Sequence, residues 1–224
     1  MNKNTKILWG WKDAMLLLIV LVPVIMGAVM YEDLPDQLAS HFDLKGNTNG
    51  FMSKSVFIIS MSLINFILFI CLKVVPRLDP KQGNYAKFMD VYELFRFVIV
   101  TFLTGIFVMV LFYNRGYDIS MNTVLFLFMG VLWIILGNYM GRIRRNYTLG
   151  VRTPWTLANE EVWKKTHRLT GPLWVICGFV MLVCSFFGDY PLHYVLLSII
   201  GISVVVPTIY SYLVFNKLGD GKEK

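Results

Sequence analysis

The chain has 224 residues, of which 56% are hydrophobic and only 16% charged, with a formal net charge of +7. A water-soluble domain carries about 25% charged residues, so there is too little polar surface here to coat a soluble globule. The basic excess does not call for nucleic acid, because it falls on the segments flanking apolar blocks, where anionic lipid headgroups attract it.

Six apolar blocks follow in order: Trp11 to Met30, Ser55 to Val75, Phe97 to Tyr113, Thr123 to Met140, Pro172 to Phe187 and Leu192 to Phe215. Crossing a bilayer as a helix takes roughly 17–25 residues; the fifth block meets this only by borrowing from its flanks. Lys3, Lys6 and Lys12 precede the first block in the manner of a secretory signal. Its apolar stretch is longer than such signals use, and Met30-Tyr31-Glu32 is no small-residue cleavage site, so it reads as a retained anchor. The expected fold is all-α: a single polytopic membrane helical bundle over residues 1–224.

Six spans sort the polar segments into two alternating sets. One set comprises both tails, the Lys73 to Arg96 loop and the Gly141 to Gly171 loop, and it holds 18 of the 21 Lys and Arg residues; the other holds Lys45, Lys54 and Arg115. Basic residues accumulate in short cytoplasmic loops, so both termini are expected inside. Glu32, Asp33, Asp36, Asp43, Asp118 and Asp189 fall on the outer face and make it net acidic. Trp9, Trp11, Tyr190, Tyr210 and Tyr212 fit an interfacial aromatic belt.

Two polar stretches carry information. The outer loop, residues 31–54, contains Leu34-Pro35, then His41-Phe42-Asp43, then a Gly/Asn-rich turn from Lys45 to Gly50. Pro35 breaks helix and the turn residues tolerate positive φ, which predicts a short extended segment folded over the bundle mouth. The inner loop, residues 141–171, contains the rigid turn Arg152-Thr153-Pro154-Trp155, then a segment with helix punctuation. Thr156 or Asn159 is placed to cap, Glu160 and Glu161 suit the helix start, and Lys164, Lys165, His167 and Arg168 suit its end. Gly171-Pro172 reads as a stop, which predicts a short interfacial helix before the fifth span.

These loops carry a family resemblance. Leu136-Gly137-Asn138-Tyr139-Met140, the run Asn146 to Leu157 with its Gly150 and Arg152-Thr153-Pro154-Trp155-Thr156-Leu157 core, and the run Val162 to Arg168 with Trp163, Thr166 and His167 together resemble the signature of the SdpI family of bacterial polytopic membrane proteins. The outer loop, through Leu34-Pro35, His41-Phe42, Gly46, Gly50 and Ser53-Lys54, is similar to a module of unknown function often found N-terminal to that signature. The resemblance implies the six-span layout and a place in the bacterial cell membrane. It also implies immunity to a secreted killing peptide, with no catalytic role. In the founding case a toxin-bound protein also retains an ArsR-type repressor at the membrane.

The partners so implied are the lipid bilayer, a secreted toxin peptide outside and a transcriptional repressor inside, with no direct contact to nucleic acid. A peptide arriving from outside needs an outward surface, so Leu34, Pro35, His41, Phe42, Gly46, Gly50 and Phe51 are the candidate contacts. Asn138, Asn146, Gly150, Arg152, Thr153, Pro154, Trp155, Thr156, Trp163, Thr166 and His167 form the inner signature. No cofactor or metal is expected: His41 and His193 fall outside and His167 inside, and Cys71, Cys177 and Cys184 read as packing residues. Asn65, Thr104 and Asn138 should make interhelical hydrogen bonds, and Lys73 and Arg96 should snorkel to the inner interface. A small-solute or peptide permease is the alternative reading.

Overall fold

The outer-loop segment between the first two apolar blocks forms a two-stranded hairpin, and the remaining architecture is helical. In the computed structural model, residues 9–43, 45–187 and 192–220 are described; Lys3, Lys6, Asp189 and Tyr190 lie outside them. The elements are α1 (Trp11–Val29), β1 (Gln37–Phe42), β2 (Thr48–Ser53), α2 (Lys54–Leu78), α3 (Gln82–Tyr85), α4 (Met89–Asn114), α5 (Met121–Met140), α6 (Pro154–Ala158), α7 (Glu160–Cys184) and α8 (Leu192–Asp220). Among the described residues, six helices are long and apolar enough to cross a membrane: α1, α2, α4, α5, α7 and most of α8. Many of their large apolar side chains stay exposed, Leu18, Ile59, Phe179 and Val204 among them, as a lipid-facing surface requires.

The helices differ from the apolar blocks at their polar ends. Helix α4 starts at Met89, eight residues before the block, and α7 starts at Glu160 and continues through Gly171 and Pro172. The expected stop at Gly171-Pro172 is therefore overturned. Asn159 does cap the helix, its Oδ1 accepting from Glu161 N–H and Val162 N–H. The segment from Glu160 to Arg168 is the first part of the fifth span helix, and the short helix of this loop is α6 instead. Tertiary packing outweighs the local breakers. A Cβ on Gly171 would lie 2.9 Å from the Gly137 carbonyl, and one on Gly178 would lie 2.6 Å from the Gly130 carbonyl. Helices α5 and α7 thus touch backbone to backbone at two levels seven residues apart, and small residues permit such approach between membrane helices.

The chain folds into two compact units. The first holds the chain up to Val75 together with Phe95–Leu125; the second holds Pro76–Leu94 and everything from Phe126 onward. In the first, Leu34, Leu38, Phe57, Phe107 and Leu111 build a core that roots the hairpin on the helices, with Phe57 and Phe107 stacked at 5.4 Å. Asn65 Nδ2 donates to Thr104 Oγ1 at 2.8 Å, as expected of these two. Lys73 and Arg96 share one carboxylate in the first turn of α1: Lys73 Nζ lies 2.6 Å from Asp13 Oδ2, and Arg96 Nη2 lies 2.9 Å from Asp13 Oδ1. Asp13 also accepts from Gly10 N–H. Lone buried charges are costly, so cations that can reach a buried carboxylate pair with it.

In the second unit, Trp133 and Trp174 stack at 5.4 Å, and both indole N–H groups donate to Ser203, which ties α5, α7 and α8 together. Cys177 is buried among Phe126, Met181 and Ile199. All three cysteines are free thiols. Asn138 is exposed, with no side-chain hydrogen bond among the described residues, so it is not the interhelical contact expected of it.

Candidate functional site

Two polar constructions stand out, one in each unit. The first is the signature loop between α5 and α7. Its organising group is Asp79, at the turn between α2 and α3 and only 5% exposed. Oδ2 accepts from Tyr85 Oη at 2.8 Å, from Tyr147 N–H at 2.8 Å and from Thr148 Oγ1 at 3.2 Å, while Oδ1 accepts from Lys81 N–H at 2.7 Å. Charge-assisted bonds of this kind are about twice as strong as neutral ones, so one carboxylate fixes the entry of the loop. Burial pushes the Tyr85 hydroxyl well above its ordinary pKa, which keeps it protonated and donating. Asn84 Nδ2 adds a bond to the Arg145 carbonyl at 2.7 Å.

Within the loop, Asn146 Oδ1 accepts from Thr148 N–H and Leu149 N–H, closing a tight turn that ends at Gly150 with φ +93°. His167 meets the loop from α7. Its Nε2 accepts from Val151 N–H at 3.1 Å, which makes Nδ1 the protonated nitrogen, donating to the Trp163 carbonyl at 2.9 Å. The Trp163 ring stacks on the imidazole at 4.1 Å, and its indole N–H donates to the Ile143 carbonyl. Thr153 caps α6, accepting from Thr156 N–H, while Thr156 Oγ1 donates to the Val151 carbonyl. Trp155 packs on Tyr212 of α8 at 5.1 Å. Arg152 is exposed and donates to the Tyr147 carbonyl at 2.6 Å.

The structure brings Asn146, Gly150, Thr153, Thr156, Trp163 and His167 into one loop assembly, in which Thr153 bonds Thr156, His167 bonds Trp163, and the remaining polar contacts run to the loop main chain. Thr166 is also fully buried, but its Oγ1 has no hydrogen-bond partner. Arg152 and Pro154 lie at the surface of the loop and Asn138 lies apart from it. Asp79, Asn84 and Tyr85 were missed by sequence reading, because the short charge-mixed loop holding them carries no motif. The hint present was Asp79-Pro80, an Asp placed to accept from main-chain N–H groups at a turn.

The second construction is the hairpin. Strands β1 and β2 pair antiparallel with Leu38 opposite Met52, Ala39 opposite Phe51 and His41 opposite Gly50. Leu38 and Met52 face the core; Gln37, His41, Asn49 and Phe51 face away from it and are exposed. The turn is held by Asp43, whose carboxylate accepts from Lys45 N–H and Asn47 N–H. The Asn47 contact is the first cause of a pKa below the usual carboxylate range. At the turn, Gly46 has φ +84°, a conformation that favours glycine. Of the expected contact residues, Leu34 is buried in the core and Phe42 packs edge-on against Tyr113 at 5.2 Å. Pro35, His41 and Phe51 are the ones presented outward, Phe51 at 66% exposure. His41 pairs with Asn49 across the strands. Among the described residues, no group of three His, Cys, Asp or Glu side chains is arranged to hold a metal ion.

Residues 142–211 match the SdpI/YfhL protein family, and residues 18–66 match a domain of unknown function, DUF1648. The first range covers the signature loop with α7 and most of α8, and the second covers most of α1, the hairpin and the first half of α2. Immunity protein SdpI of Bacillus subtilis (strain 168) is 24% identical over 212 residues, which span 94% of this chain and 99% of that protein. No solved structure matches. The chain is a multi-pass protein of the bacterial cell membrane.

Proposed function

We propose that this SdpI-family membrane protein gives the cell that makes it immunity to a secreted killing peptide, acting by binding rather than by catalysis. The observation that carries this reading is the end-to-end similarity to an immunity protein, which includes both the hairpin module and the signature loop. The charge asymmetry of the loops supports a hairpin on the outer face, where such a peptide arrives. The hairpin segment supplies the surface: exposed His41 and Phe51, on a stretch of chain that also carries Glu32, Asp36 and Asp43. The signature loop is then the rigid inner base of the fifth and sixth spans. Exposed Arg144 and Arg152 of the loop and Arg168 of α7 offer a basic surface to an acidic face of a repressor.

The test is expression in a sensitive bacterium, with survival measured against a panel of secreted killing peptides. Protection above the empty vector supports immunity. No protection by membrane-inserted protein, together with counterflow of a labelled solute in proteoliposomes, replaces it with a permease. Orientation is checked by placing single cysteines at Lys45 and Lys164: an impermeant thiol reagent should label the first in intact cells and not the second.

A further inference from the structure

The two edges of the hairpin are unlike. Where two opposed residues of an antiparallel pair do not bond each other, the N–H and C=O of both point away from the ladder. Ala39 and Phe51 are such a pair, because both main-chain groups of Ala39 are used by a side chain lying outside the sheet. Ala39 N–H donates to Asn114 Oδ1 at 2.7 Å, and the Ala39 carbonyl accepts from Asn114 Nδ2 at 3.0 Å. Asn114, at the end of α4, thereby occupies the place of a third strand on the β1 side.

Nothing equivalent closes the β2 side. The N–H and C=O of Phe51 point to the opposite edge, and by the same alternation so does Ser53 N–H. No side chain among the described residues bonds to them, and every residue of β2 is exposed or half-exposed. An open strand edge is a template for another chain. Natural proteins usually blunt such an edge with charge or proline; here it carries an exposed phenylalanine.

We propose that β2 is the recognition strand: an extended segment of the incoming peptide adds to its free edge as a third strand, pairing with Phe51 and Ser53 through the main chain and packing an apolar side chain on the Phe51 ring. This rests on the immunity reading and specifies its mode. Main-chain pairing supplies affinity and the side-chain contacts supply selectivity in this type of recognition. The chemistry of the partner follows from the surroundings. Residues 31–54 and 115–120 carry five carboxylates against three cations; Asp36 pairs with Lys54 and Asp33 with Arg115, and the excess of carboxylates that remains favours a cationic strand. A lone exposed aromatic on a strand, rather than an apolar stripe at helical spacing, fits an extended ligand and not an amphipathic helix.

The test separates main-chain from side-chain recognition. Phe51→Ala removes the ring and keeps the N–H; Phe51→Pro removes both. Because the Phe51 N–H is outside the ladder, proline costs the hairpin no hydrogen bond, and edge strands accept it. Both variants are compared with wild type for survival under the same peptide panel, with membrane level and melting temperature in detergent as controls. Strand addition predicts that Phe51→Ala weakens protection and that Phe51→Pro weakens it about two- to ten-fold further, the loss of one main-chain hydrogen bond. Ser53→Pro, with the ring intact, gives a second reading should Phe51→Pro fail to accumulate. If wild type protects and the proline variants protect as well as Phe51→Ala and wild type respectively, strand addition is wrong while immunity stands. A wild type that gives no protection overturns both.

Discussion

The imidazole of His167 fills the space a side chain on Gly150 would need. A Cβ at Gly150 would overlap Nε2, the atom that accepts from Val151 N–H, and the glycine sits at φ +93°. One residue is therefore specified twice, by backbone conformation and by the ring above it. Gly150→Ala is expected to cost roughly 1–2 kcal/mol from the left-handed conformation alone and about 1–3 kcal/mol more from overpacking. His167→Ala relieves only the second part, so the double variant should be less than additive. Thermal unfolding of the four proteins in one detergent measures the cycle; full additivity would show that the ring and the turn do not meet.

Asp79 bonds to three separate pieces of chain: its own turn, α3 and the signature loop. Asp79→Asn keeps the shape and loses the charge, and each charge-assisted bond is worth about 1.5–3 kcal/mol. The variant should unfold at lower temperature and expose the segment around Tyr147 to proteolysis. Tyr85→Phe, which removes one donor, should show a smaller loss of the same kind. Equal stability of Asp79→Asn and wild type would mean the loop is held elsewhere.

Asn114→Ala leaves both main-chain groups of Ala39 without the amide that pairs them. The expected loss is about 1–3 kcal/mol per buried group left unsatisfied, reduced to the extent that water reaches the edge. Hydrogen exchange reports it directly: the Ala39 amide should exchange faster in the variant, while amides in α7 keep their protection.

Glycines in the span helices divide by contact. Gly137→Val and Gly178→Leu place carbons against backbone carbonyls that have no room to move, and folded protein should be lost. Gly201 in α8 has nothing within 4 Å of a Cβ, so Gly201→Ala should be neutral or gain up to about 1 kcal/mol of helix propensity. A tolerated Gly178→Leu would contradict the close approach of α5 and α7.

The sequence by itself determined that the chain lives in a membrane, how many times its helices are long enough to cross, and which family it resembles. These depend on block hydropathy, charge and short contiguous motifs, all of which are local. Helix limits at the polar ends were not legible. Local punctuation at Gly171-Pro172 lost to the packing of Gly171 on Gly137, a contact between residues 34 apart in the chain. The same holds for polar pairing. Nothing in the sequence pairs Lys73 and Arg96 with Asp13 on another helix, or Asn114 with Ala39 75 residues away. The candidate contact set shows the division most clearly: seven residues share one loop, but only the folded hairpin decides that Leu34, ahead of β1, is core and that Phe51, on β2, is surface. Alternation along a strand depends on where the strand begins and where its ladder slips. The hairpin slips between Ala39 and His41, and only the paired partner strand fixes that register.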